Sequence, residues 1–239
     1  MNKDKEHIDN ILKTHASFDT RYLGDEPSNE DFMTIQESFF DRESQWYAST
    51  KSRPDFTASR LQTIVQSAKK YLNKRHCETH HILDVGTGTG VLIKYIKESF
   101  MDVSVHALDV SANQLAIAKS RYPDIEIYQS DVSHFINPVG YDVIYCNACF
   151  GNFFNQEAAL RAMSAMLNDN GTVVVSHPLG SGFVEELHRS NSLIVPNTLP
   201  TSIQQVNDLI SGTPLTVVEL VDNKGLYLCV LKQAGRSLI

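Results

Sequence analysis

From residue 81 the chain alternates two textures: short apolar runs, and longer stretches whose apolar residues recur at helical spacing. The runs HILDV (81–85), VSVHALDV (103–110), IEIYQ (125–129), YDVIYCN (141–147) and TVVVSHP (172–178) predict five strands. Between them, GVLIKYIKESF (90–100), SANQLAIAKSRY (111–122) and NQEAALRAMSAMLND (155–169) predict helices. Ser111 opens the second of these as an N-cap, and Asn170-Gly171 is expected to close the third as a C-cap. Alternating βα units of this length predict an α/β fold, doubly wound, with a mostly parallel sheet and helices on both faces. The end of the chain reads differently. LTVVELV (215–221) and GLYLCVLK (225–232) are joined by Asp222-Asn223-Lys224, with Gly225 completing the turn. So short a connection cannot hold a crossover helix, so this pair is antiparallel and one strand of a seven-stranded sheet is reversed.

Residues 1–78 carry no strand pattern and read as a helical extension, broken near GDEPSNED (24–31) and KSRPDF (51–56). ASRLQTIVQSAKKYLNKR (58–75) places Leu61, Ile64, Val65, Ala68 and Leu72 on one helical face. The expected division is therefore a helical lid, 1–78, and a core, 79–239. Within the core, residues 178–214 hold two helical patterns, around 182–190 and 201–211, separated by Pro196 and Pro200.

Charge and composition narrow the function. The chain has 239 residues, is 42% hydrophobic and carries a net charge of −7. A nucleic-acid binder needs a basic face, so nucleic acid is an unlikely partner. One basic cluster, Lys69, Lys70, Lys74 and Arg75, has helical spacing and reads as a solvated helix face. Four cysteines are too few for a disulfide framework. Cys146 and Cys149 are spaced C-x-x-C but lack two further nearby ligands, so no metal site is expected. No apolar run approaches the ~18 residues that would span a membrane, and the start, MNKDKEHIDN, has no signal-peptide core. A cytoplasmic location is expected.

The chemistry concentrates in HHILDVGTGTG (80–90). A first strand ends at Asp84-Val85, and Gly86, Gly88 and Gly90 follow it. Glycine lets backbone approach a ligand with no Cβ in the way. A P-loop is excluded, because no Gly-Lys-Ser/Thr follows, and the spacing is not the G-x-G-x-x-G of a dinucleotide fingerprint. An acid beside the loop would repel a pyrophosphate and suits a ligand with an ammonium group. The second strand ends at Asp109, whose carboxylate can accept hydrogen bonds from two ribose hydroxyls. The third unit ends in QSDVSHF, with Asp131 set to accept from an exocyclic amine such as adenine N6. Together these residues describe an adenosine bearing an amino-acid-like cation.

Here the sequence resembles the class I S-adenosylmethionine-dependent methyltransferases over roughly residues 80–232. LDVGTGTG is similar to their glycine-rich first motif, ALDVS to their ribose-binding strand and QSDVSHF to their adenine-binding turn. YDVIYCNACF with LNDNGTVVVSHP is similar to their fourth strand, helix and fifth strand, and a terminal hairpin is a family feature. Upstream, FFDRESQWY (39–47) resembles the F-D-x-x-A-x-x-Y-D lid segment of the small-molecule branch, quinone methyltransferases included. Phe40, Asp41 and Tyr47 match, while Ser44 stands for the alanine and Ala48 for the last acid.

The resemblance implies S-adenosyl-L-methionine as cofactor, S-adenosyl-L-homocysteine as product, and methyl transfer to the O, N or C atom of a small molecule by in-line displacement. It implies cofactor contacts from Asp84, Gly86, Thr87, Gly88, Gly90, Asp109, Val110, Asp131 and Val132, with Tyr47 at the methionine end and Asn147 bordering the cofactor. It also implies that the 178–214 insert covers the acceptor side. His177, ending the fifth strand, is read either as an acceptor contact or base, or as a histidine capping a strand beside Pro178. Two other readings stay open: an NAD-type oxidoreductase, and a non-catalytic regulatory subunit that keeps the cofactor fold.

Overall fold

The computed structural model describes residues 2–17, 29–49, 57–72 and 79–235. Of the predicted breaks at 24–31 and 51–56, residues 24–28 and 51–56 lie outside the described residues, as does the helix end at 73–75, while 29–31 already belong to a helix. The chain runs α1 (Asn2–Ala16), α2 (Asn29–Arg42), α3 (Ser44–Ala48), α4 (Thr57–Lys69), β1 (His80–Val85), α5 (Ile93–Ser99), β2 (Val103–Asp109), α6 (Ala112–Arg121) and β3 (Glu126–Gln129). It continues through β4 (Tyr141–Asn147), a 3₁₀ turn (Phe150–Asn152), α7 (Gln156–Ala165), β5 (Leu167–His177), α8 (Ser181–Ser190), α9 (Ile203–Leu209), β6 (Leu215–Asn223) and β7 (Leu226–Gln233).

The seven strands form one sheet in the order β3-β2-β1-β4-β5-β7-β6. β3, β2, β1, β4 and β5 are mutually parallel. β7 runs antiparallel to both β5 and β6, which makes it the one reversed strand. Strand order turns back on itself between β1 and β4, and a crevice opens there beyond the carboxyl ends of the strands.

Burial explains why β1 sits at the centre. Ile82, Leu83, Asp84 and Val85 are all buried, as a strand covered on both faces requires. Alternate residues feed two apolar layers. Ile82, Val105, Val143, Tyr145, Val174, Leu228 and Val230 face Leu61, Ile64 and Val65 of α4 and Ile93 and Ile96 of α5. Leu83, Val85, Ile144, Cys146, Val173, Val175 and Leu231 face Leu160 and Met163 of α7, Phe183 and Leu187 of α8, and Ile35 and Phe39 of α2. α4 thus packs on one face of the sheet with Thr57 and Leu61 reaching the crevice, and α1 to α3 contribute the rest of the N-terminal lining.

One boundary differs from the sequence reading. Asn170-Gly171 does not cap α7, which ends at Ala165 with Met166 as its cap residue. β5 has already begun: Leu167 pairs with Tyr141 and Thr172 with Val143, so residues 168–171 bulge from the ladder. Asn170 does take the left-handed conformation that Asn-Gly signals, with φ 62°. The turn bends a strand where the sequence reading had it closing a helix. The terminal turn is also tighter than its sequence suggests, with Lys224-Gly225 alone between β6 and β7.

Candidate active site

The glycine loop follows β1 directly. Gly86 has φ 63°, and its N–H donates to the Leu108 carbonyl at 2.8 Å. A Cβ there would lie 2.6 Å from both Cβ and Sγ of Cys149, so the position excludes side chains twice over. Gly88 donates its N–H to Asp109 Oδ2 at 2.8 Å, which couples the loop to the end of β2. Gly90 departs from the expected set of ligand contacts. It does not line the cavity, and a Cβ there would press on Tyr122 and Ala118 of the α6 segment at 3.1 and 3.3 Å. Its smallness serves packing of the loop against α6.

Three carboxylates ring the crevice. Asp84 is 1% exposed and accepts a hydrogen bond from Thr87 Oγ1 at 2.7 Å. Burial raises its carboxyl to about 7, the Thr87 bond pulling it down and the charge of Asp109 pushing it up. Asp109 also accepts from Ser111 N–H, at 2.9 Å through Oδ1. Burial raises its carboxyl too, against backbone N–H groups of Ser111, Gly88 and Val110 that hold it ionised. Asp131 accepts from Ser133 N–H through Oδ1 at 2.7 Å, an Asx turn that fixes the carboxylate at the end of β3. Asp84, Asp109 and Asp131 share one cavity of about 270 Å³ with Gly86, Thr87, Gly88, Val110 and Val132.

The N-terminal helices pack against this end. Tyr47 lines the cavity, its ring against Trp46 at 4.9 Å and Phe40 at 6.2 Å. Burial pushes its phenol above the ordinary range, so it stays protonated. Asp41 receives Ser111 Oγ at 2.5 Å and Asn113 N–H at 3.1 Å, placing a carboxylate at the N-terminus of α6. Arg121 donates to Thr89 in the loop and to the Ala48 carbonyl at the end of α3. The end of α3 and the glycine loop are therefore stitched together through Arg121 of α6.

The other end of the cavity is apolar. Asn147 and His177 line it at the ends of β4 and β5, with Ser176 Oγ donating to Asn147 Oδ1 at 3.0 Å. Ala148 holds the unusual φ of 59° in this wall. His177 is buried, its ring 5.5 Å from Phe183, and burial alone lowers its pKa to about 4. Leu179 N–H donates to His177 Nδ1 at 3.1 Å. An amide only donates, so the neutral ring carries its proton on Nε2. That geometry speaks against His177 as a base and makes it a hydrogen-bond donor.

Several lining residues escape the sequence reading: Ile11 and His15 from α1, Gln36 from α2, Phe153, and Leu187 from α8. Gln36 donates to the Asn152 and Ile194 carbonyls, at 2.6 and 2.9 Å, and ties α2 to the segments that follow β4 and α8. The apolar spacing of Phe183, Val184 and Leu187 signals a buried helix face in the insert, but no motif marks His15. Cys146 and Cys149 are thiols with their sulfurs 3.3 Å apart. Among the described residues, no group of three or more His, Cys, Asp or Glu converges on a metal site. Nor is any described helix long and apolar enough to cross a membrane.

Glycine loop, acids at three successive strand ends and a reversed seventh strand define a class. Residues 83–173 match the family model described as a methyltransferase domain. A trans-aconitate 2-methyltransferase from Afipia carboxidovorans is 26% identical over 101 residues, 42% of this chain and 40% of the relative. A malonyl-[acyl-carrier protein] O-methyltransferase from Halalkalibacterium halodurans is 30% identical over 123 residues, 48% and 45% of the two chains. The matched part therefore spans less than half the length of these curated relatives. The structure of a magnesium protoporphyrin IX methyltransferase from Synechocystis PCC 6803, with bound SAH, superposes with TM-score 0.63, covering 85% of this chain and all of that one. At 11% identity that likeness is one of fold. Residues 83–173 thus carry the sequence of a methyltransferase domain, and the fold around them is similar to that of class I S-adenosylmethionine-dependent methyltransferases.

Proposed function

We propose that the protein transfers a methyl group from S-adenosylmethionine to a small-molecule acceptor. The observation that carries this reading is the set Asp84, Asp109 and Asp131 opening into one cavity beside a loop that admits no side chains at Gly86. A sulfonium amino acid joined to adenosine fits that donor set. Asp109 accepts from the ribose hydroxyls with the lone pairs its backbone N–H bonds leave over. Asp131 accepts from the adenine amine, Val110 and Val132 flank the base, and Gly86, Thr87 and Gly88 give the methionine moiety close backbone. Asp84 faces its ammonium group, directly or through water. Tyr47 covers the methionine end and Asn147 borders it.

The bound cofactor supplies an electrophilic methyl whose departure leaves a neutral thioether, so no anion needs stabilising at the leaving atom. The protein's task is to hold the nucleophile in line and keep water out. Phe153, Leu179, Phe183 and Leu187 exclude water from the acceptor end, and the Nε2–H of His177 orients the acceptor. A soaked metabolite extract with methyl-labelled S-adenosylmethionine tests the reading. Label should appear in a small organic product, and Asp131→Ala should suppress it. Tight cofactor binding with no labelled product would instead support a non-catalytic subunit.

A further inference from the structure

We propose that the acceptor end of the cavity takes an uncharged, largely apolar molecule bearing a hydroxyl or N–H nucleophile, whose proton passes to Nε2 of His15. This rests on the methyl-transfer reading above. Charge is the first argument. Among the described residues, no lysine or arginine lines the cavity, while Asp84, Asp109 and Asp131 do. A carboxylate acceptor would find no side-chain cation there and three acids across the same cavity, so the protein itself would not compensate its desolvation.

Tautomers are the second argument, and they follow from geometry. His15 lies 3% exposed on α1, with its Nδ1 2.9 Å from the Ile11 carbonyl oxygen. A carbonyl only accepts, so Nδ1 carries the ring proton and Nε2 keeps a lone pair. His177 has the opposite arrangement, since its Nδ1 accepts from the Leu179 amide. One cavity therefore holds two neutral imidazoles of opposite polarity, one accepting and one donating. Burial lowers the pKa of both rings, for His15 against smaller opposing effects of the Ile11 carbonyl and Glu43, which keeps each neutral near pH 7. His15 is held in place from both sides. Its ring packs on Phe39 at 5.0 Å, and its carbonyl accepts from Asn191 Nδ2 at 2.9 Å, beyond the end of α8.

The step balances. The acceptor's oxygen or nitrogen forms a bond to the methyl carbon as the carbon–sulfur bond breaks with its electron pair staying on sulfur. The acceptor's proton moves to His15 Nε2 and from there to solvent. His177 Nε2–H meets a second lone pair of the acceptor.

Two measurements on the intact chain decide it. In ¹⁵N-histidine NMR at pH 7, His15 should show the Nδ1–H tautomer and His177 the Nε2–H tautomer, and a protonated or Nε2–H His15 overturns the proposal. In calorimetry on the protein saturated with S-adenosylhomocysteine, 2-naphthol should bind roughly tenfold or more tighter than 2-naphthoate or trans-aconitate. His15→Phe should weaken 2-naphthol by about tenfold while leaving S-adenosylhomocysteine affinity unchanged. Equal or tighter binding of either anion, or no 2-naphthol binding at millimolar concentration, contradicts the proposal. Failure of S-adenosylhomocysteine to bind would defeat the cofactor reading separately, since the tautomers and 2-naphthol binding are also measured on the free protein.

Discussion

Asp84 carries a conflict between stability and binding. Its carboxyl, buried with a single hydroxyl donor from Thr87, is raised from 3.8 to about 7. The folded state therefore prefers the neutral acid. That preference stabilises the unliganded protein fully below the unfolded-state pKa, and the contribution is lost as pH rises from about 4 through 7. A ligand ammonium reverses the preference by favouring the carboxylate. Asp84→Asn should raise the unliganded Tm at pH 8, flatten its fall between pH 4 and 7, and weaken S-adenosylhomocysteine by roughly tenfold or more. Melting curves across pH, with and without ligand, check all three. Gly86 gives a simpler expectation. Gly86→Ala combines a φ of 63° with a 2.6 Å contact to Cys149 and should destabilise by about 1–3 kcal/mol in urea unfolding. At this scale the sequence was informative wherever a residue's place follows from a strand end. Asp84, Asp109 and Asp131 each sit there, so pattern alone put them at one edge. His15 was invisible because its place depends on α1 meeting a segment 176 positions away.

Among the elements, α2 and α6 depend on each other. Ser111 caps α6 by accepting from Gln114 N–H, and its own hydroxyl donates to Asp41. Phe40 and Asp41 carbonyls accept from Gln114 Nε2 and Asn113 Nδ2. Asp41 therefore completes a helix N-terminus that begins just after Asp109. Asp41→Ala should cost about 1–2 kcal/mol and speed proteolytic cleavage near α2–α3 in the unliganded protein. Unchanged cleavage would show that Asp41 does not hold α2 and α3 in place. The FFDRESQWY segment was legible as helical, but its tie to α6 was not, because an acid in a sequence does not announce its partner. The misplaced cap at Asn170 has a similar origin: a left-handed Asn-Gly turn serves a strand bulge as well as a helix end, and only β4 pairing decides which.

For the whole molecule, strand order does the placing. β1 and β4 diverge at the switch point, the aspartates of β1, β2 and β3 lie toward one side, and β5 with α1 and α8 closes the other. The alternating sequence pattern was enough to predict that sheet and its reversed strand, because period-two and period-3.6 segments of these lengths admit few arrangements. It could not place the N-terminal helices over the crevice, since they pack on α6 and α8, far away in sequence. The polarity of the cavity follows from both: carboxylates where the strands end, aliphatic and aromatic residues where the helices close over. The central claim is that an adenosyl sulfonium compound lies across this edge, and calorimetric titration with S-adenosylhomocysteine tests it most directly. One site per chain is expected, weakened roughly tenfold or more by Asp131→Ala with the fold intact, and with no comparable binding of NADH. Tight NADH binding without S-adenosylhomocysteine binding, or an affinity indifferent to Asp131, would contradict it.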